Sequence, residues 1–320
     1  MFWNSNQFNI YGKIVMITGA SQGLGLALAK AAFSRGANVV IIARREPILQ
    51  KAVADIEKFR VSETQTVSYI AADISIASEA ERVMAETGPA PDVLMCCAGS
   101  SVPKLFTELT SEELTSGVAT NYFTALYMAH AGLKAMAKTP IPEHHRHIVF
   151  FSSVVHFYSF IGYCQYAPLK SALRSLGDCL RHECIPYNIK VDVVFAGNFL
   201  SEGYTIENLT KPEITKKIEG ASQPITADEC AEKIIRELDR GNQMITTDFI
   251  GFVLSSMMLS GSPRINYLAQ TFIAILLALF GPVWEWLVTK DIRNFYKNYP
   301  MTESETCPLS AKDGNEDTST

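Results

Sequence analysis

The stretch "ITGASQGLGLALAKAAF", residues 17–33, places glycines at 19, 23 and 25 between a β-branched run and a stretch with helical spacing. Glycine lets the chain turn tightly there and bring its backbone close to a phosphate, and the following helix N-terminus offers N–H groups and positive dipole. Gly19, Ser21, Gln22, Gly23, Leu24 and Gly25 are therefore the candidate cradle for a dinucleotide pyrophosphate. The spacing is G-x3-G-x-G rather than the more familiar G-x-G-x-x-G. Glycine-rich strand-to-helix turns also serve purely structural ends, so this loop needs support from the rest of the chain.

That support begins with periodicity. Apolar runs at 13–19, 38–44, 66–73, 92–99, 147–153 and 190–197 alternate with helical patterns near 24–35, 46–60, 76–87, 111–137 and 165–185. A further helix near 227–239 precedes a short run at 243–247. Near-continuous apolar strands separated by helices predict a parallel sheet covered on both faces. The fold class is α/β, a doubly wound Rossmann-type sheet of about seven strands with right-handed crossovers.

Composition narrows the function. Of 320 residues, 48% are hydrophobic and 19% charged, and the net charge of -5 argues against a nucleic-acid partner. Seven cysteines, with Cys96 and Cys97 adjacent, do not form a disulfide framework and suit a reducing compartment. His144, His145 and His147 cluster in a polar loop but lack a ligand set for a metal, and none is expected. No secretory signal precedes the first strand, so the folded part is expected to face the cytosol.

Two further positions bear on the cofactor. A carboxylate at the end of the second strand would hold the ribose 2′-OH of NAD, but this chain has Arg44 and Arg45 there. Arginine suits a 2′-phosphate, which favours NADPH/NADP+. Asp73, closing the third strand, is placed either to accept from an adenine amino group or to cap the helix that follows.

Tyr166 and Lys170 stand at i and i+4 and share a helix face. Ser153 precedes them at the carboxyl end of a strand, where ligand chemistry in open α/β sheets gathers. Asn121 lies inside a long helical pattern, an unfavourable place unless its side chain has a task. A tyrosine ordinarily ionises near pH 10, too high for ready proton exchange at neutral pH. A neighbouring ammonium lowers that value, and a serine hydroxyl polarises a carbonyl while hydride arrives. Pro168 fits a helix that starts near Ala167, because its missing N–H falls in the first turn.

TGASQGLG, CCAG, Asn121, Ser153 and Tyr166-x3-Lys170, in this order, resemble the short-chain dehydrogenase/reductase family across roughly residues 12–247. The resemblance implies that Tyr166 is the acid/base and that Lys170 lowers its pKa and binds the nicotinamide ribose. It implies that Ser153 hydrogen-bonds the reacting oxygen, that Asn121 holds a water in a proton relay, and that Ala98 and Gly99 border the cofactor. It also implies a homo-oligomer, since helices 111–137 and 165–185 are the family's usual dimer surface. Two departures stand out: Cys96-Cys97-Ala98-Gly99 replaces the common Asn-Asn-Ala-Gly, and Ala196-Gly197 replaces Pro-Gly.

Residues 96–106, 151–176 and 196–220, with an apolar C-terminus, resemble fungal lipid-ketone reductases of this family. That implies a long-chain lipid ketone substrate and NADPH consumption at the cytosolic face of the endoplasmic reticulum membrane. The expected organisation is a reductase domain over 1–247 with a substrate-lid loop at about 198–222, an apolar membrane-associated segment over 248–300 and a disordered polar tail over 301–320. Phe199, Tyr204, Ile206 and Leu209 either line the lid or form its core, and Tyr163 is expected at the substrate entrance. Residues 265–284 carry no charge and reach spanning length, although Pro282 and the nearby Glu285 shorten the comfortable apolar part. A single span would place Lys290, Arg293 and Lys297 in the lumen, against the positive-inside tendency, whereas a hairpin with 249–263 or a monotopic attachment avoids this.

Overall fold

The computed structural model describes residues 7–220, 223–257 and 263–297, with side chains through 295. The polar tail 301–320 lies outside the described residues. Seven parallel strands form one sheet: β1 (Ile14–Thr18), β2 (Asn38–Ala43), β3 (Val67–Ala71), β4 (Val93–Cys96), β5 (Arg146–Ser153), β6 (Ile189–Ala196) and, after two short strands, β9 (Met244–Thr246). Their order is β3-β2-β1-β4-β5-β6-β9, so the direction of winding reverses at β1 and β4. Ligands of open α/β sheets bind at the carboxyl ends beside such a reversal.

Alternate residues of each strand serve opposite cores, as the period of two requires. Val15, Ile17, Val39 and Ile41 pack with α1 (Gly23–Phe33), α2 (Glu46–Glu57) and α9 (Ala227–Asp239). Met16, Ile42, Leu94 and Phe150 face the other way, against α3 (Ala77–Thr87), α5 (Thr124–Ala137) and α6 (Ala167–Glu183). Every residue of β5 is buried, which places Ser153 at the end of the best-protected strand.

The helix expected over 111–137 is interrupted. α4 (Ser111–Val118) passes through one π turn, Ala119–Phe123, before continuing as α5. The interval 198–222, expected as a loop, is mostly helical. It contains β7 (Phe199–Leu200), α7 (Glu202–Thr210) and α8 (Glu213–Glu219), and β7 pairs in parallel with β8 (Ile225–Thr226). Ser201 starts α7 by accepting from the Tyr204 N–H at 3.0 Å, a side-chain cap of ordinary kind. Ile206 and Leu209 are exposed, 52% and 80%, so they do not form the interior of this unit, whereas Phe199 packs against the main core.

The apolar C-terminus consists of α10 (Phe249–Ser255) and α11 (Tyr267–Lys297). α11 runs through Pro282 without ending, and its 31 residues extend about 46 Å. It is held at two places, by α10 near its start and by the reductase domain toward its end. Near its start, Gln270 is buried and donates to Ser255 Oγ at 2.8 Å. Toward its end, Val288, Ile292 and Phe295 pack with Leu105, Ile214 and Ile218, and Asp291 pairs with Lys217 of α8 at 2.7 Å. The remaining surface is apolar and open, with Leu268, Phe272, Leu279, Phe280 and Trp286 all exposed. α11 is long and apolar enough to cross a membrane by length and composition.

Candidate active site

At the carboxyl ends of β1, β4 and β5 the loop glycines, Asn121, Ser153, Tyr166 and Lys170 converge. Gly19 adopts φ +67°, open to glycine, and a Cβ there would lie 2.7 Å from Ala98 Cα. A Cβ on Gly25 would meet the Gly19 carbonyl at 2.5 Å, so the first turn of α1 sits tightly on the loop that precedes it. Gln22 is the N-cap of α1 and accepts from Arg45 Nη2 at 2.8 Å. That contact ties the end of β2 to the glycine loop, with Arg44 exposed beside it. The Asp73 carboxylate accepts from the Ser75 hydroxyl at 2.7 Å and the Ser75 N–H at 3.1 Å, so it orders the turn before α3, whose N-cap is Ile76.

The π turn gives Asn121 its task. Its Oδ1 accepts from the Ser100 N–H at 3.0 Å, and its Nδ2 donates to the Gly117 carbonyl at 3.2 Å. The side chain thereby fixes the loop after β4 against the widened helix, and such π turns recur at functional sites. Gly99 completes this junction. A Cβ there would approach Asn121 Oδ1 at 3.0 Å and Lys170 Nζ at 3.2 Å.

Tyr166 is the N-cap residue of α6, with Pro168 within the first turn, where its missing N–H costs little. Lys170 is 4% exposed, donates to the Phe151 carbonyl at 2.8 Å and stands 5.2 Å from the centroid of the Tyr166 ring. Ser153 Oγ accepts from the Val155 N–H at 3.4 Å and lies near enough to the Tyr166 phenol to act on its ionisation. The phenol is held above its ordinary value, first by burial and then by the Glu207 carboxylate, with Ser153 pulling the other way. Burial pushes the Lys170 ammonium down to about 8. The lowering of Tyr166 by Lys170, expected from the sequence, is therefore not the state set by the protein's own groups. The amine points at a backbone carbonyl and the ring face rather than at the hydroxyl.

The short chain dehydrogenase family matches residues 13–209. The chain belongs to that family. A 3-ketodihydrosphingosine reductase of Yarrowia lipolytica is 47% identical over 90% of this chain and 79% of its own length. The reductase of the same description from Debaryomyces hansenii is 39% identical over 99% of this chain and 100% of its own. The crystal structure of L-sorbose reductase from Gluconobacter frateurii, solved with NADPH and L-sorbose, superposes with a TM-score of 0.64 at 21% identity. It covers 77% of this chain and 97% of that one, a likeness of fold.

A short-chain dehydrogenase takes a nicotinamide cofactor, and the loop just described keeps its backbone free of side chains where it turns, because a Cβ at Gly19 or Gly25 would collide with Ala98 or with the Gly19 carbonyl. At Ala196-Gly197 the glycine shared with the family's Pro-Gly has a local reason. A Cβ on Gly197 would fall 1.6 Å from Asp248 Oδ2, and the Gly197 N–H donates to Thr247 Oγ1 at 2.9 Å. Cys97 is a half-buried thiol pushed up to about 12 by burial, which suits a wall residue rather than a nucleophile. The histidines are divided among other partners at the opposite end of the sheet. His147 Nδ1 lies 2.7 Å from Asp192, and His144 lies 2.9 Å from Asp92 and 3.1 Å from Lys13.

Sequence reading missed the charged cluster of the 198–222 unit. Glu207, Lys211 and Glu219 join there with Tyr163, whose hydroxyl donates to Glu207 Oε1 at 2.7 Å. The i, i+4 spacing of Glu207 and Lys211 was its one sequence signal.

The low value of Lys170 has a direct consequence for stability. Below pH 8 the folded protein carries the cost of a buried cation, and that cost fades as pH rises from 8 toward the ordinary 10.5. In thermal melts without added cofactor, Lys170→Met is expected to exceed wild type in stability at pH 7, with the gap closing by about pH 10. A gap that widens with pH contradicts this electrostatic reading.

Proposed function

We propose that the chain reduces 3-ketodihydrosphingosine (3-ketosphinganine) to sphinganine with NADPH, the long-chain lipid ketone being its substrate. The observation that carries the reading is the match to 3-ketodihydrosphingosine reductases over nearly the entire chain, apolar C-terminus included. Supporting it is the fit between an aliphatic substrate and an apolar helix, α11, that packs beside the site's cover.

In this reading Gly19, Ser21, Gln22, Gly23, Leu24 and Gly25 hold the cofactor's pyrophosphate, Ala98 and Gly99 border it, Arg44 and Arg45 bind the 2′-phosphate, and Asp73 faces the adenine. The bound nicotinamide supplies hydride to the ketone carbon. Tyr166 gives its phenolic proton to the ketone oxygen, and Ser153 donates a hydrogen bond to that oxygen as charge develops on it. Lys170 stabilises the phenolate left behind, which its position beside the ring permits once the amine turns from Phe151. Asn121 is a positioning residue that keeps the loop after β4 and the π turn together around Lys170. The cover over the site is α7 and α8, acting as the substrate lid.

The membrane is the second partner, and we read α11 as lying along its surface with the catalytic domain on the cytosolic side of the endoplasmic reticulum. A helix bonded to α10 near its start and packed on the domain toward its end is poorly arranged for a perpendicular span, whereas its open face suits interfacial burial.

Three outcomes follow. Purified protein in detergent is expected to oxidise NADPH on addition of 3-ketosphinganine, and Tyr166→Phe to lower kcat by about 10²–10⁴-fold while still binding NADPH. Turnover of other lipid ketones but not this one would replace the substrate. Arg44→Asp should raise the KM for NADPH by about 10-fold or more and leave that for NADH nearly unchanged; equal effects would remove the 2′-phosphate role. The double change Phe272→Glu and Leu279→Glu should move the protein from the membrane to the soluble fraction without loss of NADPH binding. Glycosylation of an acceptor site appended at the C-terminus would instead establish a single span.

A further inference from the structure

The lid holds a charged cluster that the reduction itself does not use. Two carboxylates, Glu207 and Glu219, share one ammonium, Lys211, at 3.0 and 2.6 Å. The Lys211 side chain is 2% exposed and the two carboxylate side chains 17% each. One negative charge is thus left over in a largely dry setting, where it acts strongly on any cation nearby.

Glu207 carries that charge toward the reacting centre. Both of its close partners, the Tyr163 hydroxyl at 2.7 Å and Lys211, meet Oε1, and among the described residues Oε2 has no hydrogen-bond partner. Glu219 is occupied differently, by Lys211 on Oε2 and Asn198 Nδ2 on Oε1 at 2.7 Å. The Tyr163 ring that holds Glu207 lies 6.2 Å, centroid to centroid, from the ring of Tyr166. A lid carboxylate with one open oxygen therefore stands one aromatic ring from the proton donor. The Lys170 ammonium, 5.2 Å from the Tyr166 ring centroid, is a cation near the same reacting centre and by itself would repel a cationic substrate.

Resting on the reading of the substrate given above, we propose that Glu207 is the specificity residue for an ammonium group on the carbon next to the ketone. With the ketone oxygen at Tyr166 and Ser153, an amino group on the neighbouring carbon is directed to the lid side, where Glu207 Oε2 accepts its N–H. The charge-assisted bond selects 2-amino-3-ketones over plain long-chain ketones and offsets the repulsion from Lys170. Tyr163 orients the carboxylate from behind, and Glu219 keeps Lys211 from neutralising it alone.

The test compares steady-state NADPH oxidation with 3-ketosphinganine and with its 2-desamino analogue. Wild type is expected to prefer the amino ketone. Glu207→Gln, which keeps the size and the bond from Tyr163, should lower kcat/KM for the amino ketone about 10- to 100-fold and change it for the analogue by less than about threefold. Unchanged NADPH binding confirms that the variant is folded. Tyr163→Phe, which leaves the carboxylate in place, should retain the preference. Equal losses on both ketones in Glu207→Gln, or loss of preference in Tyr163→Phe as large as in Glu207→Gln, would make the cluster a lid fastening and overturn the proposal. Undiminished reduction of the amino ketone by Glu207→Gln would overturn it while leaving the proposed function intact. Failure of wild type to reduce 3-ketosphinganine would end both together.

Discussion

A single buried cation organises the centre of this protein. Lys170 is nearly removed from water, and its ammonium donates a 2.8 Å hydrogen bond to the backbone carbonyl of Phe151 on the central strand β5. Isolated charges are costly to bury, so the surroundings must be built around it. Gly99 gives it room, since any side chain there would press on both the amine and Asn121. Asn121 in turn holds the loop that contains Gly99, and it reaches that loop only because the helix widens into a π turn. The position of Tyr166 follows, one helical turn earlier on α6 and at its cap.

The parallel sheet explains why these groups meet. All seven strands end on one rim, so β1, β4 and β5 deliver the glycine loop, the loop after β4 and Ser153 to one place despite their distance in sequence. Beyond the rim, α7 is joined to Tyr163 through Glu207, and α8 is fastened to α11 by apolar contacts and the Lys217–Asp291 pair. The 198–220 unit and the long apolar helix α11 are thus mechanically joined. In the proposed reading, with a substrate carrying a long aliphatic tail and α11 at the membrane, that connection would put the site beside a lipid surface.

The sheet was legible because each strand is an apolar run of the right length, and predicted and observed strands agree within two residues for most of them. Pro168 and Tyr166 were also readable, since helix starts follow local rules. What the sequence hid depends on contacts distant along the chain. The π turn at Asn121 arises from its bond to Ser100, and no periodicity announces it. The 198–222 segment looked like a loop because its helices are short, seven and nine residues, and contain proline and glycine near their ends. Where the Lys170 amine points was not legible either, because spacing brings a lysine to the same helix face but does not fix its direction.

The central claim is that hydride reaches the 3-carbon of a sphingoid ketone at the Tyr166–Ser153 pair. The most direct test follows the hydride itself. With NADPH bearing deuterium at nicotinamide C4, on the face from which hydride leaves, and 3-ketosphinganine in detergent, mass spectrometry should find sphinganine labelled at C3. Unlabelled sphinganine with either C4-deuterated epimer, or cofactor consumption without sphinganine, would contradict the account.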